Sequence, residues 1–195
     1  MPYERRLIAI AGTSGSGKGT VIASLKERHP EFVYPVSLTT RAPRPGEIDG
    51  VTYHFVTEDA FLRAAEQGEL LEWAVNHEKE YYGMLKKPVE DALAAEKTVV
   101  REMSLAGIVT LRKTPLAEQL YAIFLIPPSE EVMRARILKR SALPEEEVTR
   151  RLATAKKEIE MASICDVSIL AEEGKQAEIY ALVEGAIRRS ASSHL

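Results

Sequence analysis

A glycine-rich segment that carries one lysine is the stretch of this sequence best suited to chemistry. It lies between an apolar run, residues 7–11, and a helical pattern over residues 21–28. Glycine backbones can adopt positive φ angles and bring N–H groups close to phosphate oxygens, and the following helix adds its positive end. A lysine ammonium can follow the charge of a moving phosphoryl group. The pattern predicts a loop that binds the phosphates of a nucleoside triphosphate. The loop comprises Gly12, Thr13, Ser14, Gly15, Ser16, Gly17, Lys18, Gly19 and Thr20.

One position of this loop bears on metal binding. Gly19 stands where such loops commonly offer a hydroxyl to magnesium, so we expect the ion to be held through Thr20 or through water. The alternative for the whole segment is a glycine-rich turn that caps a helix.

Arginines provide a second chemical signal. Residues 40–47 contain two prolines and a glycine, which exclude a helix and predict a stiff loop carrying Arg41 and Arg44. Arg136, Arg140, Arg150 and Arg151 surround a polar segment, residues 141–144. Two phosphates that meet in line need fixed cations, and arginine forks suit phosphate oxygens. The pattern favours a kinase whose acceptor is itself a phosphate, which needs no general base. Solvated surface charge is the alternative for each arginine.

The elements that would position these residues alternate between strand and helix. Strand patterns cover residues 5–11, 51–56, 70–75, 80–85, 98–103, 121–126 and 167–170, and residues 32–39 read as extended. Helical patterns cover residues 21–28, 58–67, 88–96, 129–140, 144–162 and 176–189, with one more helix capped by Ser104. This order predicts an α/β fold with a mostly parallel sheet, helices on both faces, and a ligand cleft at the carboxyl ends of the strands.

Composition narrows the class of protein. The 195 residues carry a formal net charge of -3, which argues against general nucleic-acid binding. Cys165 is the only cysteine, so an internal disulfide is excluded. No apolar run approaches the length of a membrane span, so we expect a soluble protein. The chain length is typical of one catalytic domain.

The arginine-rich loop and its surroundings resemble the GMP-binding region of guanylate kinases. The resemblance spans roughly residues 5–189. It rests on residues 37–47, Gly50, Tyr53-His54-Phe55, Glu72, Tyr82-Gly83, Pro127-Pro128-Ser129, Arg136, Arg140, Arg151-Leu152, Glu158 and Asp166. It implies a three-layer sandwich of the P-loop NTPase type, formed by a single domain, residues 1–189, and followed by a mobile polar tail, residues 190–195. Within that domain it implies a core (residues 1–33 and 97–189), an acceptor-binding subdomain (about 34–96) and a short lid (about 136–151).

The resemblance also implies roles. The reaction would be transfer of the γ-phosphate of ATP to GMP, and to dGMP, with Mg²⁺ as cofactor. Arg41, Arg44, Tyr53 and Tyr82 would hold the acceptor phosphate, and Ser37 and Glu72 would read the guanine. Arg136, Arg140 and Arg151 would close over the ATP phosphates and act in catalysis with Lys18 and Arg41. Glu102 and Ser104 would lie beside the acceptor, with Glu102 also near the metal.

Three positions depart from the family pattern. Met84 stands where Ser or Thr is usual, Ser104 where Asp is usual, and Ala171 where Asn is usual. Two alternatives therefore stay open, namely the same chemistry on another nucleotide or phosphorylated small molecule, and a non-catalytic interaction domain of guanylate-kinase type. The retained Gly17 and Lys18 favour an enzyme.

Partners and location complete the expectations. We expect small-molecule nucleotides as ligands, no nucleic acid or membrane partner, and a monomer or homodimer. The expected location is cytoplasmic. The alternative is a peroxisome-type organelle, because Ser193-His194-Leu195 resembles a peroxisomal address.

Overall fold

The computed structural model describes residues 5–75, 80–140 and 144–190, excluding the side chains of Lys139 and Arg140. The predicted roles of Arg140 and of Ser193-His194-Leu195 lie outside this part. The strands are β1 Leu7–Gly12, β2 Ser37–Thr39, β3 Tyr53–Phe55, β4 Leu70–Val75, β5 Tyr81–Leu85, β6 Val99–Glu102, β7 Leu120–Ile126 and β8 Val167–Leu170. The α-helices are α1 Lys18–Arg28, α2 Glu58–Glu66, α3 Lys86–Ala94, α4 Leu105–Leu111, α5 Glu130–Arg140, α6 Glu145–Glu160 and α7 Gln176–Ser190.

The core sheet is parallel and has the strand order β6-β1-β7-β8. Its central strands are almost wholly apolar because both faces are covered. Along β1, Leu7 and Ala9 join one buried cluster while Ile8 and Ile10 join the cluster on the other face. The predicted α/β class with a mostly parallel sheet is confirmed.

A second, smaller sheet has the order β3-β2-β5-β4 and mixes parallel with antiparallel pairs. Its strands all lie within residues 37–85, and α2 packs Phe61 and Ala64 against Leu38 of β2. The predicted acceptor subdomain contains this sheet, but α3 packs Val89 and Ala92 into the core-sheet cluster.

One predicted extended segment and one predicted strand differ from expectation. Residues 32–39 do not form one strand, because Val33 pairs with β6 through Thr98 and Val100 and the chain then crosses past Pro35 into the second sheet. Residues 51–56 lose their first part because the N–H groups of Val51 and Thr52 both donate to the carbonyl of Ile48 and close a turn.

Helix boundaries follow local capping. The Oγ of Ser104 accepts the N–H of Gly107 at 3.0 Å, so the predicted cap of α4 is confirmed. At the other end of the chain, α7 includes Ser190, whose buried hydroxyl donates to the carbonyl of Ile187 at 2.7 Å. Ser190 therefore belongs to the helix, whereas we predicted it to begin the mobile tail.

The carboxylate of Asp166 ties three separate segments together. Its Oδ1 accepts from Arg5 at 2.7 Å, and its Oδ2 accepts from Arg112 at 2.9 Å and from the backbone N–H of Ala122 at 2.8 Å. The side chain is 17% exposed, so most of these bonds are sheltered from water.

We expect Asp166→Ala to lower the free energy of unfolding by about 2–3 kcal/mol, because it leaves a backbone N–H and two guanidinium groups without their acceptor. Asp91→Ala is the matched control, since Asp91 pairs only with Lys87 on an open helix face and is 63% exposed. That change should cost less than about 1 kcal/mol. Urea unfolding followed by circular dichroism measures both, and equal losses would contradict the structural role of Asp166.

Candidate active site

The predicted phosphate loop joins the carboxyl end of β1 to the first residue of α1. Gly12, Gly15 and Gly17 have φ angles of 151°, 78° and 92°, as the sequence pattern predicts. At Gly12 a Cβ would lie 2.6 Å from the carbonyl oxygen of Leu125, so the position excludes every larger residue. The left-handed Gly17 turns the chain directly into the helix, which begins at Lys18, before the predicted residue 21.

The ammonium of Lys18 lies at the carboxyl edge of the core sheet. It donates to the carbonyls of Gly12 at 2.8 Å and Thr13 at 2.9 Å. Glu102, the last residue of the neighbouring strand β6, holds its Oε1 3.7 Å from the same nitrogen. The lysine is thus folded over its own loop, beside a carboxylate, where an incoming phosphate would meet it.

Two hydroxyl oxygens of the loop lack hydrogen-bond partners among the described residues. Thr13 Oγ1 and Ser16 Oγ are buried, and neither forms a hydrogen bond within the described residues. Leaving such a group unpaired costs about 1–3 kcal/mol. These hydroxyls are therefore available to a bound phosphate or its water.

The donor set allows a test of the magnesium expectation. Thr20 is exposed on the first turn of α1, and the Glu102 side chain is 54% exposed. Where the structure describes the chain, no group of three or more His, Cys, Asp or Glu residues could hold a metal. Mg²⁺ usually takes one or two protein ligands and completes its shell with water and phosphate oxygens, so Thr20 and Glu102 fit this ion.

Arg41 is the buried arginine of the predicted acceptor site. It is 8% exposed, and its guanidinium forms a bidentate pair with Glu47 at 2.8 and 2.9 Å. Further bonds run from Nη1 to the carbonyl of Ala42 and from Nε to the hydroxyl of Tyr82. The bonds to Arg41, and then the backbone N–H of Arg44, lower the pKa of Glu47 to about 2. The bond with Glu47, above all, raises the pKa of Arg41 above its ordinary value.

Two tyrosines complete this cluster. The Tyr82 hydroxyl donates to Glu80 at 2.8 Å, and its ring centroid lies 5.8 Å from that of Tyr53. The guanidinium carbon of Arg41 stands 5.6 Å from the Tyr53 centroid. Arg44 lies on the exposed side of the same loop. Arg41, Tyr53 and Tyr82 therefore meet in one place, with Arg44 at its rim.

Ser37 and Glu72, the predicted base-reading residues, are both buried, at 6% and 8% exposure. The Glu72 carboxylate accepts no hydrogen bond from any residue in the described ranges. Burial raises its pKa, while the positive charge of Arg101 acts in the opposite direction. A Cβ at Gly107 would lie 2.7 Å from Glu72 Oε2, so a larger residue there would displace the carboxylate.

The three residues that depart from the family pattern have different surroundings in the structure. Met84 is fully buried in the core cluster, opposite Glu72 in the strand pairing. The Ser104 hydroxyl is occupied as the cap of α4. At Ala171 the backbone carbonyl accepts from Arg136 at 3.3 Å, a contact that does not depend on the side chain.

Of the arginines predicted to contact ATP, Arg136 contacts the phosphate loop, whereas Arg151 contacts Glu147. Arg136 of α5 reaches the phosphate loop and donates to the carbonyl of Gly15 at 3.2 Å. Arg151 of α6 donates instead to Glu147 at 2.7 Å. On the same face two turns further along α6, Glu158 lies within the electrostatic influence of Lys18. That face of α6 therefore runs towards the phosphate loop.

Three residues near these groups received no role from the sequence. Glu47 and Glu80 hold Arg41 and Tyr82, and Arg101 stands beside Glu72 and Ser37. A signal existed for Arg101, because a charge within an apolar strand pattern requires a buried partner. No such signal distinguished Glu80, which ends a polar stretch.

The arrangement suits transfer between two anions. Glu102 lies next to Lys18, and its charge also helps to raise the pKa of Tyr53, after the larger effect of burial. Arg101, the residue before Glu102 in β6, donates to Ser37 of the second sheet, so the phosphate loop and the second sheet meet at the carboxyl end of β6. Cations stand on both sides of this junction, with Lys18 and Arg136 on one side and Arg41 on the other.

Comparisons with known proteins agree with this geometry. The family model for guanylate kinase matches residues 4–189. The chain is 46% identical over 177 residues to a guanylate kinase of Bifidobacterium longum, a match that covers 90% of each chain. It is 41% identical over 192 residues to a guanylate kinase of Rhodococcus jostii, which covers 97% of this chain and 92% of the other.

A solved structure shows the same architecture. The crystal structure of guanylate kinase from Anaplasma phagocytophilum matches with a TM-score of 0.76 at 28% identity, over 95% of this chain and 85% of that one. Together with the family model, which spans nearly the whole sequence, these relatives show that the chain belongs to the guanylate kinase family.

Proposed function

We propose that this protein transfers the γ-phosphate of ATP to GMP and forms ADP and GDP, with dGMP as a second acceptor. The observation that carries the proposal is the junction at the end of β6, where Glu102 lies 3.7 Å from Lys18 of the phosphate loop and the preceding Arg101 donates to Ser37 of the second sheet. Donor and acceptor phosphates held on these two sides meet where cations are fixed, which suits in-line transfer.

On the donor side, the phosphate loop would hold the ATP phosphates. Its buried hydroxyls lack partners, and its lysine ammonium lies above the loop carbonyls. Mg²⁺, held by Thr20 and Glu102 directly or through water, would neutralise charge on the phosphates. Arg136 would follow the transferred group from its place beside Gly15. The region that includes Arg140 and Arg151, residues 136–151, would act as the lid.

On the acceptor side, Arg41 would hold the GMP phosphate together with the two tyrosine hydroxyls and Arg44. Four N–H groups of the Arg41 guanidinium are engaged in the free protein. Because arginine has five N–H groups, one remains for phosphate, along with the full positive charge. Glu72 would accept the N1 and 2-amino hydrogens of guanine, which adenine lacks at these positions.

The expected cellular location is the cytoplasm. Within residues 5–75, 80–140 and 144–190, the structure has no helix long and apolar enough to cross a bilayer. A direct test of the function is release of ADP from ATP and Mg²⁺ with GMP, dGMP, AMP, CMP, UMP and sugar phosphates as acceptors. Turnover of another acceptor but not of GMP would overturn the substrate assignment.

Lys18→Met should lower kcat with GMP about 10³-fold or more, because the ammonium is placed to stabilise charge on the transferring phosphoryl group. The ADP-release assay measures the loss, and circular dichroism checks the fold. Lys26→Met, on the exposed face of the same helix, is the control and should stay within about threefold of the parent. Near-parental turnover of the Lys18 variant would remove the phosphate loop from the mechanism.

Arg41→Ala and Arg44→Ala should each raise the KM for GMP, by about 10- to 100-fold for Arg41, since charged hydrogen bonds contribute about 1.5–3 kcal/mol. The KM for ATP should change little. Arg63→Ala, an exposed arginine on α2, serves as control. Equal losses in ATP binding would place the arginine loop on the donor side.

Glu72→Ala should remove most of the preference for GMP over AMP, because the carboxylate is the acceptor that matches the guanine edge. Glu72→Gln, with a similar shape and an added donor, should also lower kcat/KM for GMP, by about 100-fold. Steady-state kinetics with both nucleotides measure the ratio. Glu69→Gln, an exposed neighbour, is the control. A preserved GMP-to-AMP ratio in both Glu72 variants would show that other groups read the base.

A further inference from the structure

Arg101 occupies an unusual place for a charged residue. It lies in β6 of the core sheet, next to the fully apolar pair Val99 and Val100. Its Nη1 donates to the carbonyl of Pro35 at 3.1 Å, and its Nη2 donates to the Oγ of Ser37. Its Nε is buried and has no hydrogen-bond partner in the described part of the chain. A guanidinium in such a site needs a reason beyond packing.

The bond to Ser37 fixes the direction of that hydroxyl. An arginine side chain has only donors, so the Oγ of Ser37 must act as the acceptor in this pair. The hydroxyl proton of Ser37 is then left for another partner. Ser37 is 6% exposed, and its hydroxyl is left to present a hydrogen-bond donor to a ligand.

The charge of the same guanidinium also acts on the carboxylate of Glu72. The carboxylate is buried beside Gly107, and Arg101 supplies the one charged side chain that acts on it among the residues described. Tyr53 and Glu102 also interact electrostatically with Arg101. Helix α4, which packs beside Glu72, carries no titratable side chain. Burial raises the pKa of Glu72, and the positive charge of Arg101 opposes that effect and so favours the ionised carboxylate, which is an acceptor only.

The donor at Ser37 and the acceptor at Glu72 match the hydrogen-bonding groups along one edge of guanine. Guanine presents two donors, the 2-amino group and N1–H, followed by the 6-oxo acceptor. Adenine has no hydrogen at N1 and carries a donor at position 6. An acceptor at Glu72 next to a donor at Ser37 therefore matches the first base and opposes the second.

We propose that Arg101 is a positioning residue that sets Ser37 as a donor and Glu72 as an acceptor, and so selects 6-oxo purine nucleotides as phosphate acceptors. This inference rests on the proposed function and deepens it. It assigns specificity to a residue that does not need to touch the substrate.

Arg101→Met is the primary test. We expect the KM for GMP to rise by about 10- to 100-fold with kcat within about threefold of the parent, because ground-state recognition of the base is lost while the phosphates remain held. The preference for GMP over AMP should fall by at least about 10-fold. Inosine monophosphate, which keeps the 6-oxo group without the 2-amino group, should lose its advantage over AMP in parallel. Calorimetric titration with GMP alone gives the same affinity loss without turnover.

Two further variants separate positioning from a general structural effect. Arg101→Lys keeps a charge beside Glu72, so it should recover part of the lost affinity. Ser37→Ala should have a smaller effect in the Arg101→Met background than in the parent, because the two residues act through one bond. No recovery with lysine, or additive effects of the two changes, would overturn the proposal.

Arg6→Met is the matched control. Arg6 is another partly buried arginine whose Nε lacks a partner in the described ranges, but it precedes β1 at the opposite end of the sheet. It should alter stability without altering the GMP-to-AMP ratio. If the parent fails to phosphorylate GMP, the proposed function is wrong. If the parent is active and Arg101→Met keeps its KM and base preference, only the role of Arg101 is wrong.

Discussion

Repulsion between two phosphate groups is the constraint on which the arrangement of this protein depends. Water screens such charges, but transfer requires a cleft from which water is largely excluded, so the protein must supply the compensating charge itself. The fold does this by placing a lysine at the carboxyl edge of a parallel sheet and an arginine on a separate small sheet. Each cation is held by its own carboxylate or carbonyl contacts. Lys18 rests on Gly12 and Thr13, and Arg41 rests on Glu47.

Polar contacts join the second sheet to the core sheet. The chain leaves the core sheet after Val33, passes Pro35 and enters the second sheet at Ser37, and the crossing is held by the side chain of Arg101. Gly107 leaves room for the carboxylate of Glu72 at the start of α4. The proposed acceptor-binding groups are therefore connected to the core sheet through polar contacts, while the core itself is apolar.

The sequence predicted much of this because its strongest patterns are local. The phosphate loop, the seven predicted strands and the cap at Ser104 depend on residues close to one another in the chain, and each is observed with changes at its ends. The stiff proline loop also indicated that Arg41 would be held. What could not be predicted were the partners that hold it, because Glu47 and Tyr82 become neighbours of Arg41 only through the packing of separate elements. The roles of the site residues remain proposals, and the contacts explain how they would act.

The pairing of Arg41 with Glu47 has a consequence for how substrate reaches the cleft. Because a nearby carboxylate already balances Arg41, this arginine adds little net positive potential to the surrounding solution. Long-range attraction of an anionic nucleotide to Arg41 is then weak, so added salt should change the association rate only slightly. On the proposed roles of Ser37 and Glu72, discrimination between nucleotides would then depend mainly on how long each one stays bound.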